Sequence, residues 1–147
     1  MIALLQRVNH AQISIAGQTH AAIGRGLLVL VGLEKNDSQE SVSKLVDRVL
    51  KYRVFPDAQG RMNLGLSDIG GELLLVSQFT LAAATNSGLR PSFSAAMPPA
   101  DAEGLYGYLV EVTQQKYNLE KVKSGVFAAD MQITLENDGP VTFSLQG

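Results

Sequence analysis

Residues 26–31 read Gly-Leu-Leu-Val-Leu-Val, and this stretch decides the fold that the sequence predicts. From Leu27 to Val31 every side chain is apolar, which is typical of a strand that is covered on both faces. A second apolar run, Leu73–Val76, forms the centre of a strand that we predict over Glu72–Thr80. These two strands are therefore expected to lie inside the protein.

The segments on either side of these strands alternate between apolar and polar residues, as half-buried strands do. Residues 2–15 predict one long strand or two, and Thr19–Ile23 predicts the next one. Three short apolar segments near the C-terminus predict closing strands. They are Val122–Val126, Met131–Leu135 and Val141–Leu145.

Two helices are predicted outside the strands. We predict Asp37 as the N-cap of the first, because Glu40 follows it at the spacing of a capping box. Apolar residues then recur at helical spacing and form one stripe that should be buried. They are Val42, Leu45, Val46, Val49 and Leu50. The basic row Lys44, Arg48 and Lys51 lies on another face, which we interpret as a solvated helix surface rather than an RNA contact.

The second helix is predicted over residues 100–117. Two stretches between the predicted helices lack clear periodicity. Residues 56–71 are rich in turn-forming residues, and residues 82–99 predict a long loop of the kind that often carries function. The whole pattern predicts an α+β fold in a single domain, residues 1–147. Its core is expected to be a largely antiparallel, barrel-like sheet with two outer helices.

Composition limits the classes of function that are open to this chain. Its net charge of −2 argues against binding nucleic acid mainly through bulk positive charge, so any RNA contact should be small and no DNA partner is expected. The absence of cysteine excludes disulfides, thiolate zinc sites and a cysteine nucleophile. No targeting segment or membrane-spanning run is visible, so we expect a soluble cytoplasmic protein without membrane contact.

Common catalytic groups are scarce in the sequence. His10 and His20 are the only histidines, both lie in predicted strands, and a core or surface position is the expected role of each. The sequence contains no Gly-x-Ser-x-Gly elbow, no Walker loop and no histidine pair at metal-ligand spacing, so neither a metal nor another cofactor is expected. An enzyme built from these residues would have to use backbone N–H donors, hydroxyl groups and the substrate's own groups.

Two polar segments are candidates for such chemistry. Ser77-Gln78-Phe79-Thr80 ends the second apolar strand, where hydroxyl, amide and free backbone donors could polarise a carbonyl group. By itself this short segment is better interpreted as an ordinary strand end with a capping threonine. Asn137-Asp138-Gly139-Pro140 predicts a turn between two strands, and the bond before Pro140 could be cis.

Taken together, ordered segments of this chain resemble the D-aminoacyl-tRNA deacylases, also called D-tyrosyl-tRNA deacylases. Each segment is short, but their order from residue 6 to residue 142 is highly specific. The matching segments are Gln6–Val8, Leu27–Gly32, Arg53–Phe55, Met62-Asn63, Leu74–Leu81, Arg90–Phe93, Leu105-Tyr106, Gly125–Phe127, Ala129–Met131 and Asn137–Thr142. The sequence departs from many relatives over residues 82–86, which lack their charged residues, so a role of that loop in gripping tRNA is not expected here.

The resemblance implies a homodimer whose active sites form at the subunit interface and bind the 3′ end of aminoacyl-tRNA. Ser77, Gln78, Phe79 and Thr80 would then line the catalytic pocket. Gly139 and Pro140, joined by a cis bond, would reach into the partner's pocket and exclude L side chains while accepting D side chains and glycine. Phe127 and Met131 would hold the terminal adenosine, and Arg7 would support the pocket or the Gly-Pro loop.

Two mechanisms and three other functions are open at this point. We prefer assistance by the ribose 2′-OH with backbone N–H groups stabilising the oxyanion, because no base is identifiable that would activate Thr80 as a nucleophile. The alternatives to the deacylase are a binding module for an RNA or nucleotide end that performs no reaction, a general esterase or peptidase that uses Thr80, and a purely structural dimer.

Overall fold

The computed structural model describes residues 1–147 and contains eight strands, three α-helices and one 3₁₀ turn. The strands are β1 (Ile2–Ile15), β2 (Gln18–Ile23), β3 (Gly26–Gly32), β4 (Phe55–Pro56), β5 (Met62–Leu64), β6 (Glu72–Ser77), β7 (Val122–Ser124) and β8 (Gln132–Gln146). The helices are α1 (Gln39–Lys51), α2 (Leu66–Ile69) and α3 (Pro99–Lys116), and the 3₁₀ turn spans Phe79–Ala82.

Strand β1 organises the main sheet. It pairs antiparallel with β8 along almost its whole length, with β3 through its first half and with β2 through its second half. Beyond β3 the order continues to β6 and β7. The sheet curls around a second layer of buried residues and closes nearly into a barrel, which confirms the predicted α+β, barrel-like core.

The prediction of a largely antiparallel sheet is confirmed, since β1 pairs antiparallel with β2, β3 and β8. Two other pairs of the main sheet are parallel, which the sequence did not predict. Strands β3, β6 and β7 run parallel to one another. A helix connects each successive pair, α1 between β3 and β6 and α3 between β6 and β7. Such a crossover returns the chain to the same end of the sheet, so the next strand must point in the same direction.

Two apolar layers lie on the two sides of the sheet. The larger contains 24 buried residues and packs the sheet against α1 and α3. The smaller contains seven, among them Val8, Leu28 and Val76, and lies inside the curl of the sheet. Strand β3 contributes Leu27 and Val29 to the first layer and Leu28 to the second, which explains its unbroken apolar run. No helix is long and apolar enough to cross a membrane.

Several predicted boundaries are wrong. The N-cap of α1 is Ser38, whose side chain and that of Ser41 form a reciprocal capping box. Asp37 instead accepts a hydrogen bond from the Glu34 N–H at 2.7 Å, which stabilises the loop before the helix. Residues 56–71, predicted only as turns, contain the β4–β5 hairpin and α2.

The most consequential correction concerns Asn137–Pro140. The predicted closing strands around Met131–Leu135 and Val141–Leu145 belong mostly to one strand, β8, and the tetrapeptide does not reverse the chain. Val8 pairs with Asn137 and Gln6 pairs with Thr142, so five steps along β8 face two steps along β1. The segment therefore forms an enlarged bulge, because β1 continues to pair with β8 on both of its sides.

Candidate active site

Strand β6 ends at Ser77, and the chain turns sharply just after it. The predicted strand over Glu72–Thr80 is therefore too long, since Phe79 and Thr80 begin the 3₁₀ turn. The N–H of Gln78 still donates to Val31 O of β3 at 2.7 Å. The sheet thus holds Gln78, the residue just before the turn, and the residues after it leave the sheet.

The start of the 3₁₀ turn presents two backbone donors. Its first hydrogen bonds run from Leu81 N to Gln78 O and onward, which leaves the N–H groups of Phe79 and Thr80 without an acceptor inside the turn. Two adjacent N–H groups of this kind can bind a negatively charged oxygen.

A glycine in β3 allows the turn to lie this close to the sheet. A Cβ at Gly32 would lie 2.8 Å from the Leu81 Cβ and 3.1 Å from Gln78 O. Any other residue would push the turn away from the strand and move the two donors. The position of the turn therefore depends on Gly32.

A cleft of about 480 Å³ lies beside this turn. Its walls come from the ends of β3 and β6, the beginning of α3, the segment after β7 and the beginning of β8. The lining residues are mostly apolar. They are Val31, Leu33, Val76, Ser77, Gln78, Phe79, Met97, Pro99, Ala102, Phe127, Ala128, Ala129, Asp130, Met131 and Ile133.

Five of the predicted site residues meet at this cleft, although 54 positions separate the first of them from the last. They are Ser77, Gln78, Phe79, Phe127 and Met131. Phe79 is 63% exposed, and its ring contacts that of Phe93 with 5.1 Å between the centroids. An exposed aromatic ring at the edge of an apolar cleft is suited to contact with a planar ligand group.

Phe127 and Met131 are held on the opposite wall by buried neighbours. The Phe127 ring packs on Tyr106 of α3, with 6.0 Å between the centroids. The Met131 sulfur lies against the backbone of Gly125, where a Cβ would be only 2.7 Å from it. Both side chains therefore have fixed positions at the cleft.

Tyr106 is a buried residue behind this wall. Its hydroxyl donates to Leu75 O of β6 at 2.9 Å, and burial raises the pKa of the phenol well above its ordinary value. The hydroxyl therefore stays protonated and acts as a structural donor that joins α3 to β6.

Thr80 lies outside the lining of the cleft. It is exposed, and its hydroxyl accepts a hydrogen bond from the Gln78 side-chain amide. The amide does not provide the base that a threonine nucleophile requires. His10 and His20 are exposed and do not line the cleft. No group of three or more histidine, aspartate or glutamate side chains is arranged to hold a metal ion.

The enlarged bulge of β8, residues 137–140, is held in place by two side chains. Arg7 Nε donates to Asp138 O at 2.9 Å and lies 3.2 Å from the Asp138 carboxylate, while Arg7 Nη1 donates to Val54 O at 2.6 Å. The Asn137 side chain bridges the bulge, since its Oδ1 accepts the Val141 N–H at 2.7 Å. Arg7 therefore contacts the segment that contains Gly139 and Pro140, while its predicted role at the site stays a prediction.

Gly139 and Pro140 form the exposed tip of the bulge, and the peptide bond between them is cis. Gly139 has a φ of +155°, and a Cβ there would lie 2.6 Å from Val141 N. Neither residue lines the cleft of the same chain. Asn137 is four residues beyond the cleft residue Ile133 along β8, a separation of roughly 13 Å.

Several cleft residues were not predicted from the sequence. Met97, Pro99 and Ala102 come from the end of the long loop and the start of α3, and a long loop beside a helix start was the available signal. Asp130 places a carboxylate on the cleft within Ala129–Met131, a segment to which the resemblance assigned no role besides Met131. Ala128, with a φ of +59°, forms the turn that brings these residues to the wall.

Solved structures with the same fold cover nearly the whole chain. The c-Myc DNA Unwinding Element Binding Protein superposes with a TM-score of 0.96 at 40% sequence identity, covering 100% of this chain and 99% of that one. A probable eukaryotic D-amino acid tRNA deacylase has a TM-score of 0.86 at 16% identity and covers 98% of this chain, which shows the fold alone. The name of the first protein refers to DNA; for this chain the absence of a DNA partner stays a prediction.

Relatives in sequence are closer. The D-aminoacyl-tRNA deacylase of Stutzerimonas stutzeri is 56% identical over 146 residues, and that of Pseudomonas fluorescens strain Pf-5 is 58% identical, each alignment covering 99% of both chains. The corresponding protein of Photobacterium profundum is 54% identical over the same length. A family model described as D-Tyr-tRNA(Tyr) deacylase matches residues 4–146. The chain therefore belongs to the D-Tyr-tRNA(Tyr) deacylase family.

Proposed function

We propose that this protein hydrolyses the ester bond of D-aminoacyl-tRNA and releases the free D-amino acid and tRNA. The observation that carries the proposal is the mostly apolar cleft with an exposed aromatic ring, which lies beside a 3₁₀ turn whose first two N–H groups have no acceptor within the turn. An ester that is activated by its own neighbouring hydroxyl requires little more than such donors and a fixed position. The names of relatives more than 50% identical agree with this reaction.

The 3′-terminal adenosine is proposed to bind between Phe79 and the wall formed by Phe127 and Met131. Aromatic rings and a thioether offer favourable contact to the face of a base. The Tyr106 ring behind Phe127 limits the movement of that wall. This position would bring the ester at the ribose towards the start of the 3₁₀ turn.

Water then attacks the ester carbonyl carbon, oriented by the ribose 2′-OH. The N–H groups of Phe79 and Thr80 stabilise the negative oxygen of the tetrahedral intermediate. The ester C–O bond breaks, and the ribose oxygen leaves and takes up a proton. The lack of a base beside the Thr80 hydroxyl favours this route over a covalent threonine intermediate.

Chirality is proposed to be read by Gly139 and Pro140 of a second copy. The tip of the bulge is exposed, held by Arg7 and Asn137, and distant from the cleft of its own chain, so it would enter the cleft of a partner in a homodimer. Backbone carbonyl oxygens at the tip would collide with an L side chain. A D side chain points elsewhere and glycine has none, so glycyl-tRNA formed on a non-cognate tRNA is also a substrate in this proposal.

The direct test compares D-tyrosyl-tRNA, L-tyrosyl-tRNA and glycyl-tRNA as substrates of the purified protein. Release from the D and glycyl substrates, with the L substrate intact, is the expected result. Equal release from D and L substrates would contradict the chiral filter. No release from any substrate by a folded protein that still binds tRNA would favour the alternative function, a binding module for the RNA 3′ end.

Dimers that combine two different variant chains test whether each site is built from both subunits. Ala129→Trp fills the cleft and Gly139→Ala alters the bulge, so each variant alone is expected to be nearly inactive. After the two variants are unfolded and refolded together, half of the dimers contain one chain of each variant. In such a dimer one of the two sites combines the intact cleft of one chain with the intact bulge of the other. Recovery of about one quarter of the wild-type activity is expected. No recovery, with mixed dimers verified by mass, would mean that each site is built from one chain.

A further inference from the structure

A groove beside the C-terminal end of α1 carries an excess of positive charge. It is lined by Asp47, Arg48, Lys51, Tyr52, Arg53 and Phe143, and we call these six residues the basic groove. The chain as a whole has a net charge of −2, so this concentration of cations is a local exception. We propose that the basic groove binds the phosphodiester backbone of the tRNA 3′ strand, next to the terminal nucleotide, in place of the solvated surface that the sequence alone favours for Arg48 and Lys51.

The cations of the basic groove are available to a ligand. None of Arg48, Lys51 and Arg53 forms a salt bridge with a carboxylate. The one carboxylate in the groove, Asp47, is already 2.9 Å from Lys116 Nζ. The local field is therefore positive and is not cancelled within the chain.

The floor of the basic groove is aromatic. The rings of Tyr52 and Phe143 meet edge to face with 5.6 Å between their centroids, and the Arg48 guanidinium lies 6.0 Å from the Tyr52 ring. Arg48 Nη1 also donates to Gln146 O at 2.7 Å, which fixes the guanidinium against β8. Cations around an aromatic floor form the arrangement that proteins use for single-stranded nucleic acid.

The position of the groove relates it to the bulge of β8. Arg7 donates to Val54 O, directly after Arg53, and to Asp138 O within the bulge. Phe143 follows Pro140 by three residues on the same strand. Arg7 therefore links the groove to the bulge. This inference rests on the proposed function, because a bulge that enters a partner's cleft brings its own basic groove beside the RNA bound there.

The test measures binding of uncharged tRNA at several salt concentrations by fluorescence anisotropy. The double variant Lys51→Ala/Arg53→Ala is compared with the wild type and with Lys44→Ala. Lys44 is on the same helix but is exposed and paired with Glu40, which makes it a matched control. The double variant is expected to bind on the order of tenfold more weakly at low salt, with a salt slope smaller by roughly 1.4, whereas the control keeps the wild-type slope.

A second measurement separates the RNA strand from the cleft. D-tyrosyl-adenosine carries the ester without the preceding phosphates, so the ratio of kcat/KM for D-tyrosyl-tRNA to kcat/KM for D-tyrosyl-adenosine should fall on the order of tenfold in the double variant. An unchanged ratio together with an unchanged salt slope would overturn the inference. Conversion of the double variant to a monomer in sedimentation would also overturn it, since the groove would then be a contact between copies.

The binding measurement does not depend on hydrolysis. Loss of binding in the double variant supports the basic groove even if the wild-type protein releases no amino acid. Hydrolysis that is selective for D substrates supports the proposed function. If the double variant then binds tRNA as well as the wild type does, the basic groove has no part in that function.

Discussion

The cleft and the bulge of β8 both form where the chain departs from regular strand structure, but the chain builds them in opposite ways. At the end of β6 the turn after Ser77 leaves two backbone donors without an acceptor in the turn, beside a concave, mostly apolar pocket. At residues 137–140 the backbone projects outward, and side chains of Arg7 and Asn137 occupy its polar groups. The concave cleft is suited to bind a ligand, whereas the projecting bulge is suited to enter a cavity of another molecule.

The contrast also shows where each region obtains its rigidity. The cleft is held by packing, since Gly32 admits the turn and Tyr106 supports Phe127. The tip of the bulge is exposed, and the bulge depends on hydrogen bonds made by one arginine and one asparagine. We therefore expect single substitutions to damage the bulge more than the cleft.

The largest effect is expected from Arg7→Ala, which removes the contacts to Asp138 and Val54 together. The Asp138 carboxylate is partly exposed, so the loss of unfolding free energy should be about 3 kcal/mol, near the lower end for a broken buried ion pair. Urea unfolding measures it. Arg61→Ala, at an exposed arginine without a side-chain partner, should change stability by less than about 0.5 kcal/mol. Equal stability of the two variants would mean that Arg7 does not hold the bulge.

Gly139→Ala changes the tip of the bulge and leaves the cleft of its own chain unchanged. The φ of +155° disfavours a side chain, and the new Cβ would be 2.6 Å from Val141 N, so the tip must move. A loss of roughly hundredfold in kcat/KM on D-tyrosyl-tRNA is expected, or about 2.7 kcal/mol of transition-state stabilisation. Gly17→Ala is the control, because Gly17 also has positive φ but has nothing within 4 Å. Its activity should stay at the wild-type level; an equal loss in both variants would indicate a general effect on folding.

Thr80→Ala tests whether the cleft acts through its backbone. The N–H groups of Phe79 and Thr80 remain in the variant, so the rate of a single turnover should fall by no more than about tenfold. A decrease of this size is expected from the loss of the hydrogen bond between the Gln78 amide and the Thr80 hydroxyl. A rate close to that without enzyme would refute the substrate-assisted route and make the hydroxyl the nucleophile.

The smallest effect is expected from Tyr106→Phe, which removes one buried hydrogen bond to Leu75 O. Leu75 O also accepts from Gly125 N, so it keeps a partner and the variant should lose only about 1 kcal/mol of unfolding free energy. Tyr108→Phe is the control, because the partly buried Tyr108 hydroxyl has no such bond, and it should be close to neutral. A loss above about 3 kcal/mol would mean that the hydroxyl supports the whole cleft wall.

The same variant changes the response to alkaline pH. Burial raises the pKa of Tyr106 in the folded state, so the folded protein holds the phenolic proton more tightly than the unfolded chain does. This contribution is fully present below the ordinary tyrosine pKa near 10 and is lost as pH rises through the folded value. Thermal unfolding from pH 9 upward should show a shallower loss of stability in Tyr106→Phe than in the wild type. Parallel curves would contradict the buried phenol.

The inner strands and the buried stripe of α1 follow from the amino-acid sequence alone. The run Leu27–Val31 and the helical spacing of Val42, Leu45 and Val46 require burial wherever the chain places them, because apolar periodicity depends only on neighbouring residues. The order of short motifs likewise identified the family before any contact was known.

Contacts between residues that are far apart in the sequence depend on the three-dimensional fold. Asn137–Pro140 has the composition of a turn, but pairing of β8 with β1 on both sides makes it a bulge, and Arg7 reaches it from 131 positions away. Phe79 and Met131 likewise line the same cleft because of the strand pairing and the crossovers through α1 and α3. Local propensity acts over a few residues, whereas sheet register is set by the burial of the whole fold, and register decides where each polar group points.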